Sequence, residues 1–78
     1  MSRRKMDEEI STELSDAIIS SNRKYTMLIE EMKNKYPREV YAFHLEKLAH
    51  MMALSFDILD ELGKDYPHLN PMRVPGEH

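Results

Sequence analysis

The chain contains no cysteine and no tryptophan, and only two glycines among its 78 residues. Without cysteine it can form neither a disulfide nor a thiolate zinc site. No apolar run approaches the roughly 18–20 residues that a membrane-spanning helix requires. The start of the chain also turns acidic where a signal peptide would be apolar. We therefore expect one small, soluble, cytoplasmic domain.

The net charge is −3, and acidic and basic residues are interspersed along the chain. Broad nucleic-acid binding needs a field of Lys and Arg that displaces counterions, so this pattern disfavours it. A nucleic-acid-binding regulator stays open as an alternative through a small basic set, which comprises Arg3, Arg4, Lys5, Arg23 and Lys24. Such a regulator would bind random duplex DNA less tightly as salt rises.

Two apolar stripes with helical spacing dominate the sequence. The first follows steps of four and three and consists of Ile10, Leu14, Ile18, Ser21, Tyr25, Leu28 and Met32. It predicts a helix over residues 7–35 with Asp7 as the N-cap. The second predicts a helix over residues 37–62 and consists of Tyr41, Leu45, Leu48, Met52, Ser55, Leu59 and Leu62.

Pro37 separates the two predicted helices. The residue before a proline avoids the helical region, so Tyr36 should end the first helix, whereas Pro37 suits the first turn of the second. So short a connection predicts an antiparallel helical hairpin, and a continuous helix kinked at Pro37 is the alternative. We expect Gly63 to close the second helix. Residues 1–6 are expected to be a disordered basic arm, and residues 64–78 an irregular tail.

The second predicted helix is apolar around most of its circumference. Beyond its inner stripe it carries a further row, which consists of Val40, Phe43, Met51, Leu54 and Ile58. Such a helix must be buried on several sides, and a hairpin supplies only one neighbouring helix. We therefore expect an all-α homodimer, a four-helix bundle assembled through this row. Further contacts with a protein partner are expected at Tyr36, Tyr66, Leu69 and Met72.

The sequence contains no recognisable catalytic constellation. Ser21 and Ser55 lie within apolar stripes, where a small residue favours close packing. Glu46 and His50 could form half of a metal site that a dimer duplicates, but di-iron bundles use a three-residue Glu–His step. A surface pair is the simpler interpretation. We expect no enzyme activity, no cofactor and no resident metal, with a metal-binding bundle as the alternative.

Residues 51–67, MMALSFDILDELGKDYP, resemble the end of the TraM-type quorum-sensing antiactivators. Asp16-Ala17-Ile18, followed by the basic Arg23 and Lys24, is similar to the first helix of that family. This chain departs from the family by its shorter connection and by the tail after Pro67. The resemblance implies an all-helical dimer that binds a LuxR-type transcription factor and blocks it from DNA. The residues alone favour a small binding protein that inhibits or modulates a protein partner.

Overall fold

The computed structural model describes residues 5–69, which form an antiparallel helical hairpin. Helix α1 spans Glu8–Lys35 and helix α2 spans Arg38–Asp65, each 28 residues long. A 3₁₀ helix, Pro67–Leu69, follows. Residues 5–69 contain no strand. The predicted all-α hairpin is confirmed, whereas its dimerisation into a four-helix bundle stays a prediction.

Local chemistry sets the start of α1 and the turn. The Asp7 carboxylate accepts a hydrogen bond of 3.1 Å from the Ile10 N–H, as an N-cap does. At the turn, Tyr36 and Pro37 both adopt extended backbone angles, with φ of −132° and −71°. Pro37 is therefore the N-cap of α2 and lies just outside the helix. These two extended residues reverse the chain, which rules out the kinked continuous helix.

Helix α2 ends later than predicted. It continues through the buried Gly63 to Asp65, and the Tyr66 N–H donates to the Leu62 carbonyl at 2.8 Å. The prediction that Gly63 closes the helix is wrong, because Pro67 is the residue that prevents continuation. The expected irregular tail is wrong for the helical Lys64 and Asp65 and for the 3₁₀ helix. Residues 70–78, like residues 1–4 of the expected basic arm, lie outside the described residues.

The inner face of α1 differs from the predicted stripe. Ile10 and Leu28 are exposed, whereas the neighbouring Ser11 and Ile29 are buried. The observed inner positions keep the steps of four and three but start one residue later: Ser11, Ser15, Ile18, Asn22, Tyr25, Ile29 and Met32. Three positions are common to both sets, namely Ile18, Tyr25 and Met32. Ser11, Ser15 and Asn22 carry no hydropathy signal, so apolar patterning selected the residue before each of them. On α2 the predicted inner stripe is buried or half-buried throughout.

The core is concentrated near the open end of the hairpin. There α1 contributes the buried Ser11 and Ser15, and α2 contributes the buried Leu59, Leu62 and Gly63. Small residues from both helices are thus buried at the same end, which indicates that the two backbones approach closely there.

Further contacts at the open end of the hairpin involve residues that lie outside the two helices. The Tyr66 hydroxyl donates to the Met6 carbonyl at 2.8 Å, and Lys5 Nζ lies 4.7 Å from the centre of the Tyr66 ring. His68 Nε2 lies 3.1 Å from a carboxylate oxygen of Glu8. These contacts link the first residue of α1 and the residues before it to the residues that follow α2.

Candidate protein-interaction surfaces

The most prominent surface feature is the predicted apolar row on α2, which we call the outer row: Val40, Phe43, Met51, Leu54 and Ile58. All of its members are exposed, from 45% for Ile58 to 65% for Phe43. Met51, Leu54 and Ile58 follow steps of three and four, so they form one continuous ridge along the helix. Within residues 5–69, no other part of the chain covers this ridge.

The first half of the outer row combines an apolar residue, Phe43, with polar neighbours. Lys47 Nζ lies 5.4 Å from the centre of the Phe43 ring, and the His44 ring meets that ring edge-on at 5.6 Å. An exposed cation–π contact contributes about 0.5–1 kcal/mol. Phe43 is thus flanked by the polar residues Lys47 and His44, whereas Leu54 and Ile58 form the purely apolar part of the row.

A narrow groove runs beside the outer row between the two helices. Its volume is about 180 Å³, and its lining is Ala17, Ile18, Ser21, Asn22, Tyr25, Met51 and Ser55. Met51 belongs both to this groove and to the outer row, so ridge and groove adjoin on one side of the hairpin. Ser21, predicted to be an inner residue, is exposed at the groove.

A polar layer crosses the hairpin at this groove. Asn22 Nδ2 donates to Ser55 Oγ at 2.9 Å, and the Ser55 hydroxyl donates to the Met52 carbonyl at 2.7 Å. Ser55 is therefore held by structural hydrogen bonds. It is half-buried, as its place in the predicted stripe requires, and it is also hydrogen-bonded to the facing helix.

A second, broad groove lies on the opposite side of the hairpin. Its volume is about 930 Å³, and its lining is Ile19, Asn22, Arg23, Thr26, Met27, Ala49, Met52, Ala53, Phe56 and Leu59. Sequence patterning did not identify it. One sequence pattern could have indicated this groove. Ile19, Arg23 and Met27 recur every four residues on α1, and the small Ala49 and Ala53 have the same spacing on α2.

The other predicted contact residues are separated in space. Tyr36 is half exposed at the turn, far along the helices from Tyr66 at the open end. Tyr66 is half-buried and is engaged within the chain by Met6 and Lys5. Leu69 is half-buried too, and its N–H donates to the Tyr66 carbonyl. Met72 lies outside the described residues. The structure therefore does not bring Tyr36 into one patch with Tyr66 and Leu69.

The residues of the alternative functions lie on exposed helix faces. Glu46 and His50 are exposed on α2, as are Arg23 and Lys24 on α1. Within residues 5–69, no three His, Asp or Glu side chains lie close enough to hold a metal ion together. Arg3 and Arg4 lie outside the described residues.

The hydropathy of both long helices is below that of a membrane span: no helix within residues 5–69 is long and apolar enough to cross a bilayer.

The fold and surface define a helical hairpin with two apolar sides. Comparison of the chain with known family models, curated proteins and solved structures finds no match.

Proposed function

We propose that this chain is a small, non-enzymatic regulatory protein of the cytoplasm. It acts as a homodimer and binds a protein whose activity it inhibits or modulates. The observation that carries this proposal is the outer row, an exposed apolar ridge on a long helix. Contiguous exposed apolar surface of this kind marks interaction sites in folded proteins.

The apolar ridge lies beside the narrow groove on one side of the hairpin. This arrangement supports a second copy of the chain as the partner that covers the outer row. In a contact with two-fold symmetry, the same patch of each copy meets itself. The Leu54–Ile58 ridge of one copy can then lie over the narrow groove of its partner, where Ala17 and Ser21 leave space for large side chains. Ridges packed into grooves are the usual geometry between helices, and the product is a four-helix bundle.

A protein partner accounts for the apolar surface that such a dimer leaves exposed. The broad groove lies on the side opposite the narrow groove, so a dimer through the outer row does not cover it. The resemblance of residues 51–67 to the TraM-type antiactivators supports a transcription factor as the partner. Inhibition would then consist of blocking that factor from DNA.

Affinity capture from the native host tests the function directly. We expect the tagged wild-type chain to enrich one protein in near-stoichiometric amount, and the activity of that protein to fall when the purified chain is added. The Leu54→Asp variant should capture less of it, because a carboxylate in the outer row opposes dimer formation and a hairpin this small depends on the dimer to stay folded. Ser20→Asp, which places the same charge at an exposed position of α1, is the control and should capture as wild type does.

Two results would contradict the proposed function. One is wild-type chain that enriches no protein above an untagged control. The other is a captured protein whose activity is unchanged by a saturating amount of the chain.

A further inference from the structure

We propose that the broad groove binds an amphipathic α-helix whose apolar face is flanked by lysine and arginine. This inference rests on the proposed function, since the helix is taken to belong to the regulated protein. It names the chemistry of the binding element and the side of the hairpin that receives it.

The shape of the broad groove fits a helix. Its α2 wall runs from Ala49 to Leu59, which is about 15 Å of helix at 1.5 Å per residue and therefore about three turns. Ala49 and Ala53 lie one turn apart and leave room for a close approach. Phe56 and Ile19 supply larger apolar contacts on the two walls. Helices that bind in such grooves insert apolar anchors spaced three, four and seven residues apart.

Met27 makes the opening of this groove adaptable. It is 61% exposed, the highest value among the exposed large apolar side chains of α1. Methionine is unbranched and flexible, and it is frequent at surfaces that adjust to a bound helix.

The charge around the groove selects a basic ligand. Acidic residues lie three or four positions from its lining residues on both helices, and all of them are exposed: Asp16, Glu30, Glu31, Glu46, Asp57 and Asp60. None of these carboxylates forms an ion pair with another residue of the 5–69 region. The bases on these faces are fewer, namely Arg23 in the lining, Lys24 and His50. Complementary charges at a rim give orientation and specificity to an apolar contact.

A synthetic peptide of about 14 residues provides the probe. It carries leucine at positions spaced three, four and three apart and lysine on both flanks of that face. A second peptide has glutamate in place of every lysine. We expect the full chain to bind the lysine peptide saturably, with a gain in peptide helicity, and the glutamate peptide at least about tenfold more weakly. Anisotropy of the labelled peptides measures both affinities, and rising salt should weaken the first.

Variants locate the binding to the broad groove. Ala53→Arg places a large side chain with a positive charge on the α2 wall, so affinity for the lysine peptide should fall at least about tenfold. Combined Glu46→Gln and Asp60→Asn should weaken binding about threefold to tenfold and reduce its salt dependence. The control combines Glu13→Gln and Glu39→Gln, which remove the same charge more than one turn from any lining residue. That control should bind as wild type does.

Three outcomes would overturn this inference: equal affinity for both peptides, equal losses in the rim and control variants, or an Ala53→Arg chain that changes from dimer to monomer. The last would mean that a second copy covers the broad groove. Failure of the proposed function is distinguishable, because it appears as a monomeric wild type or a capture without a partner, whatever the peptides do.

Discussion

At the scale of single residues, the polar pair Asn22 and Ser55 forms a hydrogen bond between the two helices. It lies among the apolar inner positions and is part-buried. Polar residues at inner helix positions disfavour alternative registers because a slipped pairing leaves them without partners. The pair is therefore expected to fix the alignment of α1 on α2 and to contribute modestly to stability.

We expect Asn22→Ala and Ser55→Ala to be coupled. Each substitution removes the same 2.9 Å hydrogen bond, so the double variant should be less destabilised than the sum of the two by about 0.5–1.5 kcal/mol. Urea unfolding at one fixed protein concentration measures the three free energies of unfolding. Asn34→Ala is the control because Asn34 is exposed on the same helix, and its effect should add to that of Ser55→Ala. If the effects of Asn22→Ala and Ser55→Ala on the free energy of unfolding were fully additive, the hydrogen bond between these two side chains would not form.

At the scale of the helices, the close approach at the open end depends on small buried residues. Ser15 is only 2% exposed, and Gly63 is buried within α2. Helices pack at a distance that the side chains at their contact determine. Replacing a small residue there should separate the helices, whereas the same replacement on an exposed face should not.

The pair Ser15→Leu and Ser20→Leu tests this contact with one chemical change. Both gain helix propensity, which is worth a few tenths of a kcal/mol. Ser15→Leu should nevertheless lower the free energy of unfolding by about 1–3 kcal/mol, because overpacking forces the neighbouring side chains and backbone to shift. Ser20→Leu should leave it unchanged or slightly raised. Equal effects of the two variants, measured by urea unfolding, would show that the helices are not in close contact at Ser15.

The distinction between single-residue effects and contacts between helices explains which features could be predicted from the sequence. Asp7, Pro37 and Pro67 act through local backbone chemistry, so the helix start, the turn and the stop after α2 follow from single residues. The inner face of α1 could not be predicted in this way, because Ser11, Ser15 and Asn22 carry no hydropathy signal. Gly63 gave a misleading stop signal, since its role is packing between helices. The broad groove depends on the spacing of two helices, which no single stripe encodes.

At the scale of the whole molecule, a pair of helices has two broad sides, and both are apolar here. One side carries the outer row and the narrow groove, and the other carries the broad groove. A two-helix unit has too little core to stabilise itself well, and small domains of this kind are commonly completed by oligomerisation. The proposed homodimer through the first side would leave the second side available for the proposed protein partner.

The mass of the chain in solution tests the dimer most directly, by light scattering at micromolar concentration on three forms. We expect wild type at twice the monomer mass of 9.2 kDa and Leu54→Asp as a monomer or unfolded. Met27→Asp should remain dimeric, because Met27 is an apolar residue on the other side that is even more exposed than Leu54. A stable, well-folded wild-type monomer, or a Leu54→Asp chain that is still dimeric, would contradict assembly through the outer row.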